Sequence, residues 1–258
     1  GQQARGLHIN RFFIMIGIVL LMLVMFSCPA LAEVRSERWR WSNPLPHGNN
    51  VLDMKISKDF DLQVGDAGTL YTRQLNDRWT PAYTGVDNYL RSTALLGERI
   101  IATGEEGMIL WSDDAVNFQE AEFSPGSTMN WFEGVTASSQ RLVAVGDNGT
   151  IYTSTNGTDW SAAVSGTGEW LRGTASGAGG FVAVGENGTI LRSPENGTSW
   201  SLISSPTAEH LNRVRYLGTG GSGRFYAVGN NGTVLYSDTG TAPWIPIDSD
   251  TTNHLYDV

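Results

Sequence analysis

A glycine closing a short apolar run recurs at Gly65, Gly104, Gly146, Gly185 and Gly229, at intervals of 39 to 44 residues, so the chain must be built from a repeated unit of that size. Two more series share the period. One is aromatic: Trp41, Trp79, Phe118, Trp160, Trp200 and Trp244. The other is Asn50, Tyr89, Trp131, Trp170, His210 and His254, each followed by an apolar residue.

Each unit reads as four short strands, a to d. Strand a begins at the third marker, as in "WLRGT". Strand b is the run "LVAV" or "FVAV", with no polar face, as suits a strand covered on both sides. Asn-Gly then predicts a type I′ hairpin at Asn148, Asn187 and Asn231, because both central residues need positive φ. Strand c follows as "TIYTS", "TILRS" or "TVLYS", and a second turn, carrying Asn-Gly at Asn156 and Asn196, leads to strand d at the aromatic marker. The five Asn-Gly-Thr tripeptides are formal glycosylation sequons, but their fixed place in the repeat assigns them to turns.

Four antiparallel strands repeated about every 40 residues predict an all-β chain, a β-propeller of four-stranded blades around a channel. Five blades are complete, at about residues 45–84, 85–124, 125–165, 166–205 and 206–249. Residues 36–43 read as an N-terminal closing strand. Residues 250–258 begin a further blade, which predicts a parent of six or more blades truncated at the C-terminus.

Arg5 and Arg11 precede an apolar run from Phe12 to Phe26, and Ala30 and Ala32 form the small-residue pattern that signal peptidase accepts. Residues 1–32 therefore read as a signal peptide and 33–258 as the exported domain, periplasmic or secreted. Lipidation at Cys28 is the weaker alternative, because Met25 and Phe26 fit that motif poorly. Removing 1–32 takes two of the 17 basic residues and none of the 26 acidic, leaving a net charge of −11 and no cysteine. That acidity argues against a nucleic-acid partner, and no disulfide is open to the domain.

"SPENGTSW", Ser193 to Trp200, resembles the Asp-box, S-x-D-x-G-x-T-W, of bacterial neuraminidase-type propellers, with Glu195 for the Asp and Ser199 for the Thr. The copy at Ser154 to Trp160 is one residue shorter, and blades one, two and five keep little beyond the aromatic. The larger unit "WLRGTASGAGGFVAVGENGTILRSPENGTSW" resembles the repeat of photosystem II assembly and stability factor-like propellers over about residues 36 to 258. That resemblance implies an exported, non-enzymatic scaffold that binds protein and assists assembly of envelope or membrane-protein complexes. No cofactor is implied.

The chemical candidates are few. "GTGGSG", Gly218 to Gly223, matches a dinucleotide fingerprint, yet no helix follows to hold a pyrophosphate, so no nucleotide is expected. His210 and His254 replace tryptophans of sister blades, which points to a structural role. A sialidase-like hydrolase or a lectin is the alternative function; the hydrolase would need an arginine cluster, whereas the residue two past the marker varies as Leu52, Arg91, Glu133, Arg172, Asn212 and Tyr256. Arg91, Glu133, Arg172 and Asn212 are candidate channel-lining residues. Asp66, Glu105, Asp147 and Glu186 each follow the glycine ending strand b, and so form a candidate docking rim for a protein partner. No metal site is expected. N-terminal sequencing of the exported protein checks the processing site: a start at Glu33 is expected, and a lipid-modified Cys28 would refute it.

Overall fold

The computed structural model describes residues 49–57, 60–74, 78–124, 126, 128–194, 196–218 and 222–258; residues 1–32, read above as a signal peptide, and 36–43, read as a closing strand, lie outside them. The described chain is all-β, a β-propeller of four-stranded antiparallel blades. Blade one is β1 (Val51–Ile56), β2 (Phe60–Gly65), β3 (Leu70–Gln74) and β4 (Thr80–Pro81); blade two is β5 (Leu90–Leu96), β6 (Arg99–Gly104), β7 (Ile109–Ser112) and β8 (Gln119–Glu120). After β9 (Glu122–Ser124), blade three is β10 (Phe132–Ala137), β11 (Leu142–Gly146), β12 (Ile151–Ser154) and β13 (Asp159–Ala163). Blade four is β14 (Leu171–Gly177), β15 (Gly180–Gly185), β16 (Ile190–Pro194) and β17 (Ser201–Leu202), and blade five is β18 (Leu211–Leu217), β19 (Arg224–Gly229), β20 (Val234–Ser237) and β21 (Ile245–Ile247).

The two apolar faces of strand b follow from how blades stack. Because side chains alternate across a strand, Leu142 and Ala144 of β11 face blade two while Val143 and Val145 face blade four. Val182 and Val184 of β15 likewise face blade five while Phe181 and Ala183 face blade three. The core is thus four separate apolar layers, each between consecutive blades. The aromatic marker of strand d seals them: Trp160 is buried in the layer beneath blade two, and its indole N–H donates to the Gly157 carbonyl at 3.0 Å.

Blades are also joined at their outer edges. After strand d the chain runs alongside strand d of the next blade, in parallel: Tyr83 pairs with Asn117, β9 with β13, and Val164 with Ser199. Among the described residues no helix is long and apolar enough to cross a membrane.

The two sets of Asn-Gly turns work by different physics. Between strands b and c, Asn148 (φ 51°, ψ 32°) and Gly149 (φ 67°) form the expected type I′ turn, closed by the Thr150 N–H on the Asp147 carbonyl at 2.9 Å. Asn187 and Asn231 repeat it. Between strands c and d only the glycine has positive φ, and the Asn156 side chain acts instead: its Oδ1 accepts from the Thr158 and Asp159 N–H groups, both at 3.0 Å. Blades two and five keep little of the Asp-box sequence, yet they cap the same turn through a serine. Ser112 and Ser237 cap it as Ser154 does, accepting from the Ala115, Gly240 and Gly157 N–H groups respectively at 3.1, 3.1 and 2.8 Å.

Blades one and two place Ala67 (φ 51°) and Glu106 (φ 56°) where the later blades place Asn. An L-residue other than Asn or Gly is strained there by about 1–2 kcal/mol. Ala67→Asn should therefore stabilise the protein by roughly 0.5–1 kcal/mol, raising Tm by a few degrees. Calorimetry of the variant checks this.

Candidate docking mouth

Strand a of every blade carries a β-bulge at the same place. The register of β10 against β11 passes from Phe132↔Gly146 to Gly134↔Val145, so Glu133 is the extra residue, and Leu52, Arg91, Arg172 and Asn212 are extra in the other four blades. A bulged residue leaves the ladder and its side chain is re-aimed. The four candidate lining residues are therefore all bulge residues, positioned by one backbone device beside the channel rather than in it, since its lining begins one or two residues further along each strand a.

The candidate rim residues are brought to the same place by the glycines. A Cβ on Gly146 would stand 1.7 Å from the Trp131 carbonyl oxygen, and the sister glycines would clash alike, at 1.9 to 2.1 Å. Only glycine lets strand b end so close to the start of strand a. The next N–H then donates to that carbonyl: Glu105 to Tyr89, Asp147 to Trp131 (both 3.1 Å) and Glu186 to Trp170 (2.9 Å).

Rim and lining side chains meet as ion pairs in blades two and four. Arg91 binds Glu105 at 2.7 Å within its own blade and reaches Glu133 of the next at 3.3 Å, and Arg172 binds Glu186 at 2.6 Å. The guanidinium of Arg91 lies 4.9 Å from the Trp131 ring centre, and that of Arg172 lies 5.0 Å from Trp170; the two rings meet edge to face at 6.4 Å. Asp66 accepts from the Asn50 side chain at 2.8 Å, and Asn212 donates to Asn230 at 3.1 Å. Glu105 and Glu186 are therefore neutralised rather than free, so the acidic character of the rim concentrates on blades one and three.

Buried polar atoms without partners occur in all five described blades, and blade three holds two carboxylate oxygens among them. Glu133 Oε1 and Asp147 Oδ1 are buried without a hydrogen-bond partner, as are Arg91 Nε, Arg172 Nε and Trp170 Nε1 around them. Burial raises the pKa of Glu133 against the opposing pull of Arg91 and Arg172, and burial also raises that of Asp147.

Below the mouth, strands a line a channel of about 320 Å³. There Asp53 accepts from the Thr93 N–H at 2.9 Å, and Arg215 pairs with Asp257 at 2.7 Å. Sequence reasoning missed this pair, whose signal was the alternation of Arg213 and Arg215 along one strand. His210 and His254 use Nδ1 to accept from the Asn187 and Asn231 N–H groups of the turns before them, at 3.0 and 3.2 Å. No group of three or more His, Cys, Asp or Glu placed to hold a metal occurs among the described residues.

Bladed sheets around a polar channel, with a bulge-built mouth, define the class as a β-propeller. The sequence matches no family model and no curated protein. Among solved structures the chain is similar to YCF48 bound to D1 peptide, with a TM-score of 0.60 and 22% identity over 80% of this chain and 68% of that one. It is likewise similar to YCF48 from Cyanidioschyzon merolae, with a TM-score of 0.60 and 16% identity over 81% and 76%. At those identities the likeness is one of fold.

The raised Glu133 pKa has a signed consequence. A carboxyl whose folded pKa lies above its unfolded value favours the fold below the unfolded pKa, and that contribution is lost as pH rises through the folded pKa. Glu133→Gln is neutral throughout, so its Tm relative to wild type should be higher at pH 7 than at pH 4. Equal differences at both pH values would refute the assignment.

Proposed function

We propose that the protein is an exported, non-enzymatic propeller that docks a protein segment at the mouth and acts as an assembly scaffold for envelope or membrane-protein complexes. The observation that carries this reading is the mouth itself: five bulges present one variable side chain per blade, backed by Trp131 and Trp170, on an otherwise regular frame. Variable residues on a fixed scaffold are how a fold acquires specificity. The fold shared with YCF48, one structure of which holds a D1 peptide, supports a protein ligand, and the signal-like N-terminus supports export.

A sialidase-like reading has less support. Such a site needs arginines free to hold a substrate carboxylate, and both Arg91 and Arg172 are committed to glutamates at under 3 Å.

A photo-crosslinking residue in place of Tyr89, exposed at the mouth, or of Leu202, exposed on strand d of blade four, separates the two faces. Irradiation in envelope preparations should give discrete protein adducts from position 89 and none from position 202. Adducts from 202 alone would move docking away from the mouth.

A further inference from the structure

Two junctions at the mouth are held by an imidazole. His210 Nδ1 accepts from the Asn187 N–H at 3.0 Å, and His254 Nδ1 accepts from the Asn231 N–H at 3.2 Å. Each ring stands just before a strand a position, and each amide belongs to the b-to-c turn of the preceding blade, 23 residues back, so both bonds cross a junction. Tyr89, Trp131 and Trp170 hold the equivalent places earlier in the chain, and an indole ring offers a donor but no acceptor.

A ring nitrogen that accepts an N–H carries no proton of its own, so both bonds require the neutral imidazole with its proton on Nε2. Histidine is the side chain whose charge ordinarily changes between pH 5 and 8, and an imidazolium has no acceptor left. We propose that His210 and His254 are acid-released latches, which tie the turns of blades four and five to the segments that follow them near neutral pH and let them go on acidification.

The charged groups on the elements around His210 are Glu186 of the turn it holds, paired with Arg172 at 2.6 Å, Glu169, which accepts from the Asn187 side chain at 2.9 Å, and Glu209 on its own segment. Around His254 they are Glu209, which accepts from the Asn231 side chain at 2.9 Å, and Asp257, which pairs with Arg215 at 2.7 Å and lies 3.7 Å from Arg213. Carboxylates outnumber the cation around His210, and His254 is exposed to water, so the fold tolerates both charged rings. The backbone beside each ring stays seated: the Asn230 N–H donates to the His210 carbonyl and the Leu255 N–H to the Gly229 carbonyl, both at 2.9 Å. Acid therefore frees the turns without unfolding the blades. The two latches differ in strength, because in blade five the Gly232 N–H also donates to the Asn253 carbonyl at 2.8 Å and holds that turn a second time.

The test is an NMR titration of the full chain from pH 8 to pH 5, following the histidine rings and the turn amides. The Asn187 amide should shift along the titration of the His210 ring. Its hydrogen-exchange protection, corrected for the intrinsic effect of pH, should fall about two- to tenfold, the loss of one neutral hydrogen bond. Asn231 should respond less, and Asn148, whose turn is followed by Trp170, should not respond. His210→Trp introduces the residue of the sister blades and should leave Asn187 released at both ends of the range. His210→Gln offers a carbonyl acceptor that does not titrate and should keep Asn187 held throughout. An Asn187 response no larger than that of Asn148, or one that persists in both variants, overturns the inference. The latches concern the turns alone, so failure of the Tyr89 crosslink would sink protein docking at the mouth and leave them standing.

Discussion

Everything at the mouth depends on a backbone contact that only glycine permits. Where strand b ends, the space a Cβ would fill is taken by the carbonyl oxygen of the residue preceding strand a, in all five blades. The same oxygen then accepts the N–H of the following residue and so fixes the direction in which the rim side chain leaves the backbone. Replacing any one of these glycines would push the first two strands of a blade apart and separate rim from lining. The period by which the repeat is recognised is thus the period of a steric requirement, and the acids follow the glycines because that contact fixes their place.

The blade count, the strands and the b-to-c turns were legible because each rests on local rules. Unbroken apolar runs mean two covered faces, and Asn-Gly means two positive φ values. The bulge was not legible. It shows only as a register shift between β-strands, and residues such as Arg91 and Glu133 carry no signature of being extra in a ladder. The rim and the lining therefore read as two separate sets of residues. One signal was present in the repeat itself: blades with arginine at the bulge have glutamate at the rim, whereas Leu52 and Glu133 accompany aspartate. The longer glutamate reaches a guanidinium across the strand pair; aspartate appears where there is none to reach.

The turn between strands c and d shows how one tripeptide serves two mechanisms. At Asn148 the backbone itself is left-handed, whereas at Asn156 the side chain substitutes for a missing backbone acceptor. Sequence identity at the two places concealed that difference. It also concealed that Ser112 and Ser237 perform the capping of Ser154 without an Asn-Gly beside them, because a hydroxyl one turn earlier leaves little mark in a pattern built on asparagine and glycine.

The parallel strand pairing at the outer edges means that covalent continuity between blades two and three is redundant. β9 hydrogen-bonds along β13, and an apolar layer joins the same two blades beneath it. Severing the chain between Ser124 and Asn130 would create two new ends but remove neither bond. The halves would remain a single particle in solution, and such a protein could be expressed as two polypeptides that find each other, with the cut placed beside the mouth yet outside every contact that builds it.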